Sequence, residues 1–222
     1  MADEVETTWI GDNPSPEMAA KHLRDVVAAT ARFETSRLVT PEETAFFGAV
    51  RAVMSDLEYV SSLYCGWDGE NRRRIQTGAK TVRFMEYVVA AASSNDGYAR
   101  WSRHLYELYR CGLIHQRLPK VLRSEAATTR LLGWALMYDR VDRLGPNRDN
   151  AEVRHLRLHK VDGDLALLPV SVLAIYEDFL AACEYFAALL EEESAAGDAE
   201  LLTRWWQTWN TLGSPEDTKL TW

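Results

Sequence analysis

Cysteine is scarce in this chain: three residues in 222, Cys65, Cys111 and Cys183, far apart and without a CxxC pair. A disulfide framework is therefore not expected, and a reducing cytoplasm is the compartment that fits. No run of 18 uninterrupted apolar residues occurs, and the N-terminus, MADEVETTWIGDNPSPEM, is acidic where a signal peptide needs a basic segment followed by an apolar one. The chain is expected to be neither secreted nor membrane-spanning. GxGxxG, Walker, HExxH and GxSxG patterns are all missing, which argues against a cofactor-dependent enzyme or a common hydrolase, so no cofactor is expected. Internal repeats and low-complexity linkers are missing too. What the chain does have is 47% hydrophobic and 26% charged residues, enough to bury a full core without disulfides or metal. One domain over residues 16–222, behind an acidic leader over residues 1–15, is the expected organisation.

The apolar spacing is mostly helical. Pro16 opens a first stretch carrying Met18, Leu23, Val26, Val27, Ala31 and Phe33. Thr40-Pro41-Glu42-Glu43 reads as a second helix start with Thr40 as N-cap, and the wide apolar face from Phe46 to Leu63 predicts a central core helix. A third helix resumes near Asn71 with Ile75, Val82, Met85 and Val89 in its stripe, and a fourth runs from about Tyr98 to near Pro119. The period then changes. Leu131 to Met137 and Val153 to Val161 predict strands, the second with Leu156, Leu158 and Lys160 on one face and His155, Arg157 and His159 on the other. Asp162-Gly163 predicts a hairpin that pairs this strand with Leu165 to Leu168. Pro169 starts a long fifth helix, and a sixth holds Leu201, Leu202, Trp205, Trp206 and Trp209. The expected fold is mainly α: a bundle of about six helices, with a small antiparallel β-sheet or hairpin inserted at about residues 130–168, before the penultimate helix.

The formal net charge of −8 argues, taken whole, against a nucleic-acid partner. Its distribution argues otherwise. Residues 1–99 hold 10 basic and 15 acidic side chains, residues 100–160 hold 13 and 6, and residues 161–222 hold 2 and 12. Four of the five histidines lie in the basic central section, and arginine outnumbers lysine 20 to 5 over the chain. Arginine favours bidentate contacts to phosphate or carboxylate. The section fits either a focused surface for RNA or a face that docks on the acidic C-terminal helices, within one chain or across a dimer.

Inside that section lies Leu105-Tyr106-Glu107-Leu108-Tyr109-Arg110-Cys111-Gly112-Leu113-Ile114-His115-Gln116. An Arg and a His separated by four residues near the end of the fourth helix resemble the R-x(4 to 6)-H motif of the HEPN superfamily of small helical ribonucleases and nucleotide-binding proteins. The resemblance implies a homodimer whose motif helices meet at a cleft, with Arg110 and His115 as the catalytic pair of a metal-independent endoribonuclease. A toxin, stress or phage-defence setting comes from the resemblance as well. The chemistry is coherent: His115 can act as base on the 2′-hydroxyl and acid on the leaving oxygen, while Arg110 stabilises the phosphorane-like oxygens. On an ideal helix the two residues stand about 140° apart, so a shared face requires a distorted helix, which Gly112 permits.

Arg103, Arg117, Lys120, His155, Arg157 and His159 complete the expected RNA-binding set. His155 and His159 lack a third ligand at metal spacing, so no metal is expected there. Trp205, Trp206 and Trp209 are expected in the core or an interface, with base stacking as the other use of such a stripe. Arg72-Arg73-Arg74 opens the third helix against its dipole and calls for acidic partners or a phosphate. The rival to RNA cleavage is a catalytically inactive HEPN-like dimerisation or partner-binding protein that docks another protein through residues 161–222 or the Trp-rich helix.

Overall fold

Ser15 accepts a hydrogen bond from the Met18 amide at 3.2 Å and Pro16 fills the first helical position, so the first helix starts where the sequence predicts. A computed structural model describes residues 15–66, 74–113, 118–123, 130–144, 150–161, 163–197 and 199–213. Within them six helices and a small sheet can be followed. Helix α1 (residues 16–34) runs through Pro16–Lys21, a wide-turned segment His22–Ala28, and Ala29–Glu34. Helix α2 (Phe46–Cys65) begins six residues after Thr40. The expected cap fails there because Glu42 is extended before a single 3₁₀ turn, Glu43–Ala45.

Helix α3 (residues 74–93) and helix α4 (residues 96–113) also widen in their C-terminal halves, over Met85–Val89 and Tyr106–Cys111. Asn95 caps α4 by accepting from the Gly97 amide at 3.0 Å. Helix α5 (Val172–Ala195) and helix α6 (Glu200–Gly213) close the chain. Val50, Val53, Met54, Leu57, Val60 and Leu63 of α2 are essentially inaccessible, which makes α2 the centre against which α3, α5 and α6 pack. Buried side chains of all six helices join those of Leu168 and Val170 in one apolar core. Among the described residues no helix is long and apolar enough to cross a membrane.

The sheet differs from the expected antiparallel hairpin. Strands β1 (Leu122–Arg123), β2 (Leu131–Met137), β5 (His159–Lys160) and β6 (Leu165–Ser171) lie in the order β1-β2-β6-β5, and β3 (Val141–Arg143) pairs with β4 (Glu152–Arg154) separately. The long pairing is parallel, from Leu131 opposite Leu165 to Met137 opposite Ser171. Only His159 and Lys160, extended by the Val161 amide bonding the Leu165 carbonyl at 2.9 Å, form the predicted hairpin with β6.

The predicted strand from Val153 to Val161 is broken in two. Leu156 takes a left-handed φ of 56°, and the Arg157 amide bonds the Arg154 carbonyl at 3.0 Å, so residues 154–157 form a tight turn. Pro169 likewise lies within β6 rather than at the start of α5. Its carbonyl accepts from Leu156, on the side away from β2, so its missing N–H also points away from β2 and removes no bond of the parallel pair. Ser171 then caps α5 by accepting from Ala174 at 2.9 Å.

Candidate functional site

Helix α4 carries most of the residues of interest, and its two ends have different chemistry. At the C-terminal end Arg110 faces α2. Its guanidinium donates to Glu58 Oε2 at 2.7 Å, its Nε lies 2.5 Å from Glu58 Oε1, and the Tyr106 hydroxyl donates to the same carboxylate at 2.9 Å. The Arg110 and Glu58 side chains are only 20% and 14% exposed, so this is an internal ion pair more than a surface one. The hydrogen bond that Arg110 donates to Glu58 holds the Arg110 pKa above its ordinary value, and burial beside Glu58 pushes the Tyr106 phenol up. The wide turn over Tyr106–Cys111 ends one residue after Arg110, ahead of most of the R-x4-H spacing. His115 and Arg117 lie outside the described residues.

Gly112 has a packing role beside this cluster. A Cβ there would come within 2.5 Å of the Lys120 amide nitrogen, 2.6 Å of the Leu118 carbonyl and 2.7 Å of the Pro119 Cα. The returning chain lies directly on the helix and is tied to it by the Lys120 amide bonding the Leu108 carbonyl at 2.8 Å. Lys120 is half-buried near Cys111. Burial and Glu107 raise the Cys111 thiol pKa, so it is not an activated nucleophile.

His155 does not extend a basic surface as expected. It is buried behind the first turn of α4, where its Nδ1 accepts from the Ser171 amide at 3.0 Å and its Nε2 lies 3.2 Å from the Tyr98 hydroxyl. With Nδ1 an acceptor, Nε2 carries the proton and donates to Tyr98. Tyr98 in turn donates to Asp178 Oδ2 at 2.9 Å, and Arg140 donates to Asp178 Oδ1 at 2.7 Å. Burial and the nearby Arg140 charge lower the His155 pKa to about 3, so the ring is neutral. This relay ties α4, the 154–157 turn, β6 and α5 together.

Arg157 and His159 do come together, with two arginines outside the predicted set. Two adjoining pockets share Arg154, Arg157 and Leu158. One continues to His159 and Glu152, the other to Arg100, Trp101 and Asp96 at the start of α4. Arg103 is exposed one turn beyond Arg100. At 1.5 Å per residue Arg100 and Arg110 stand about 15 Å apart along the axis. The expected RNA-binding residues are therefore divided: Lys120 stays with Arg110, while Arg103, Arg157 and His159 lie toward the other end.

The Trp-rich helix is used for packing. Trp205 is fully buried and stacks on Trp209 with centroids 5.4 Å apart, and His22 meets the Trp209 ring at 4.4 Å. No cluster of three or more His, Cys, Asp or Glu side chains suited to a metal is found among the described residues. The sequence reading overlooked Glu58, Asp178, Tyr98 and Trp101. Glu58, set between Ser55 and Ser62, carried no readable signal, whereas Asp178 is a carboxylate on an apolar helical stripe, three residues after Ile175 and four before Ala182. A charge in such a position needs a partner. Compared with known protein families, characterised proteins and solved structures, the chain finds no match.

Proposed function

We propose that this chain is an HEPN-like helical protein that binds RNA without cleaving it through Arg110. The observation that carries this reading is the Glu58 carboxylate, which holds the Arg110 guanidinium edge-on while also accepting from Tyr106. An arginine that stabilises a phosphorane must turn its charge toward incoming phosphate. Here the charge is matched inside the chain, between α2 and α4, and contributes to holding those helices together. Arg100, Arg154 and Arg157 face solvent toward the opposite end of α4, which favours binding there and adds nothing to cleavage by the motif.

A homodimer belongs to the same reading. Leu118 and Val121 are 55% and 57% exposed on the segment that crosses the C-terminal end of α4, an apolar pair suited to a second copy at the motif helix. The test is incubation of the purified protein with total RNA at low salt without metal, beside Arg110→Ala and His115→Ala proteins. RNA retained on the protein, with no 2′,3′-cyclic phosphate ends appearing, is the expected result. Cleavage that disappears in either variant overturns it.

A further inference from the structure

The groove at the start of α4 is produced by the 154–157 turn. Because Leu156 is left-handed, two consecutive side chains point inward instead of alternating. His155 joins the Tyr98 relay, and Leu156 lies against the first turn of α4, where a Cβ on Gly97 would come 2.7 Å from its own Cβ. The flanking residues, Arg154 and Arg157, both end exposed on the rim. A left-handed non-glycine residue is strained and persists only where its surroundings hold it. Here the Leu156 amide bond to Pro169 and the buried leucine side chain do so.

The larger pocket on this rim holds about 480 Å³ and brings Trp101 together with Arg100, Arg154 and Arg157. Arg157 has no carboxylate partner among the described residues. Arg100 meets Asp96 only at 3.8 Å with both side chains widely exposed, and Arg154 pairs with Glu152 at 2.9 Å with each about half exposed. Exposed pairs of this kind contribute little to stability, so a phosphate can displace them at little cost.

We propose that this groove is a subsite for single-stranded RNA, with phosphates on Arg154, Arg157 and Arg100 and an unstacked base against Trp101, an inference that rests on the RNA-binding reading above. An aromatic side chain beside arginines in a concavity is the chemistry of single-strand recognition, since a duplex keeps its bases stacked away from Trp101. Asp96 and Glu152 on the rim supply acceptors for a ribose 2′-hydroxyl and disfavour indiscriminate coating by polyanions.

The test is fluorescence anisotropy of the full chain with a labelled 12-nucleotide single-stranded RNA of mixed sequence, at two salt concentrations, beside the same RNA in duplex form. Arg157→Glu is expected to weaken binding at least tenfold and to flatten the salt dependence, while Arg51→Glu, an equal charge change on the exposed side of α2, leaves it within twofold. Trp101→Leu is expected to weaken binding at least fivefold, Trp101→Phe to restore most of it, and the duplex to bind at least tenfold more weakly. Thermal melts establish that each variant is folded. Wild-type protein that binds no RNA sinks the functional reading and the subsite with it. Wild-type binding that survives Arg157→Glu and Trp101→Leu but is lost in Lys120→Glu sinks the subsite alone. Equal affinity for duplex and single strand also overturns it.

Discussion

Acidification should destabilise this protein through two buried histidines, and the size of the effect can be worked out. Burial lowers the pKa of His155 to about 3 and that of His22 to about 4, against 6.5 for each when exposed. Both are therefore neutral in the folded chain and take up a proton on unfolding. Stability is fully present above pH 6.5 and is lost as pH falls toward the folded values. Each pH unit below 6.5 costs about 1.4 kcal/mol per histidine. Between pH 6.5 and 5 each site contributes about 2 kcal/mol, or about 4 kcal/mol together. Asp56 acts in the opposite direction. Burial and the nearby Glu34 raise its pKa to about 6, so the folded chain holds that proton more tightly and regains stability on acidification. Asp56 is partly open to solvent, which limits that return to less than about 1 kcal/mol. The expected net loss between pH 7 and pH 5 is thus about 3 kcal/mol, a large fraction of an ordinary 5–15 kcal/mol stability. Urea unfolding followed by circular dichroism across this range measures it. His155→Gln should lower stability at pH 7 yet reduce the loss on going to pH 5 by about 2 kcal/mol. A wild-type stability that stays flat from pH 7 to 5, or a His155→Gln profile parallel to wild type, refutes the reasoning.

Glu58→Ala leaves Arg110 and Tyr106 without their shared acceptor and should cost about 2–3 kcal/mol, lowering Tm by about 4–12 °C in calorimetry. The double variant with Arg110→Ala should lose less than the sum of the single losses, because the two residues form one interaction. Gly112→Ala drives a Cβ into the backbone of residues 118–120 and should destabilise by about 2–4 kcal/mol in urea unfolding, although alanine is the better helix former. Replacing Leu118 and Val121 together with Asp should halve the mass seen in sedimentation without lowering Tm. An unchanged mass removes that surface from the dimer reading.

The helices were legible because their apolar faces follow one local period. Phe46 to Leu63 predicts α2 nearly to its last residue, since the burial of Val50, Val53, Met54 and Leu57 is the period itself. The start of that helix was not legible, because Thr40-Pro41-Glu42-Glu43 satisfies the capping pattern while Glu42 stays extended and the helix begins only at Phe46. Val153 to Val161 alternates cleanly in sequence, yet the fold ignores the alternation. His155 and Leu156 both turn inward because partners remote in sequence, Tyr98, Ser171 and Pro169, hold them there. The parallel pairing of β2 with β6 joins segments more than 30 residues apart, and no local signal specifies it. For the candidate site, the sequence pointed to the basic section but not to its division between the two ends of α4, which depends on where the 154–157 turn is pinned.

The motif residues themselves bear on how far an Arg and a His at this spacing can be read as chemistry. Tyr109 is fully buried, and its hydroxyl donates to the Leu168 carbonyl of β6 at 2.7 Å with the Ala135 carbonyl of β2 at 3.2 Å, so it bolts α4 to the pair of parallel strands. Arg110 bolts the same helix to α2 through Glu58. Gly112 leaves room for the chain entering β1. Three of the four residues in Tyr109-Arg110-Cys111-Gly112 thus have a full structural explanation as the joint between helices and sheet, and a chain keeping this joint would keep these letters whether or not it cleaves RNA. The part of the molecule that a joint does not require is the rim formed by Arg154 and Arg157. The buried Leu156 side chain holds the left-handed turn, and with His155 and Leu156 both turned inward the two arginines are left on the outside.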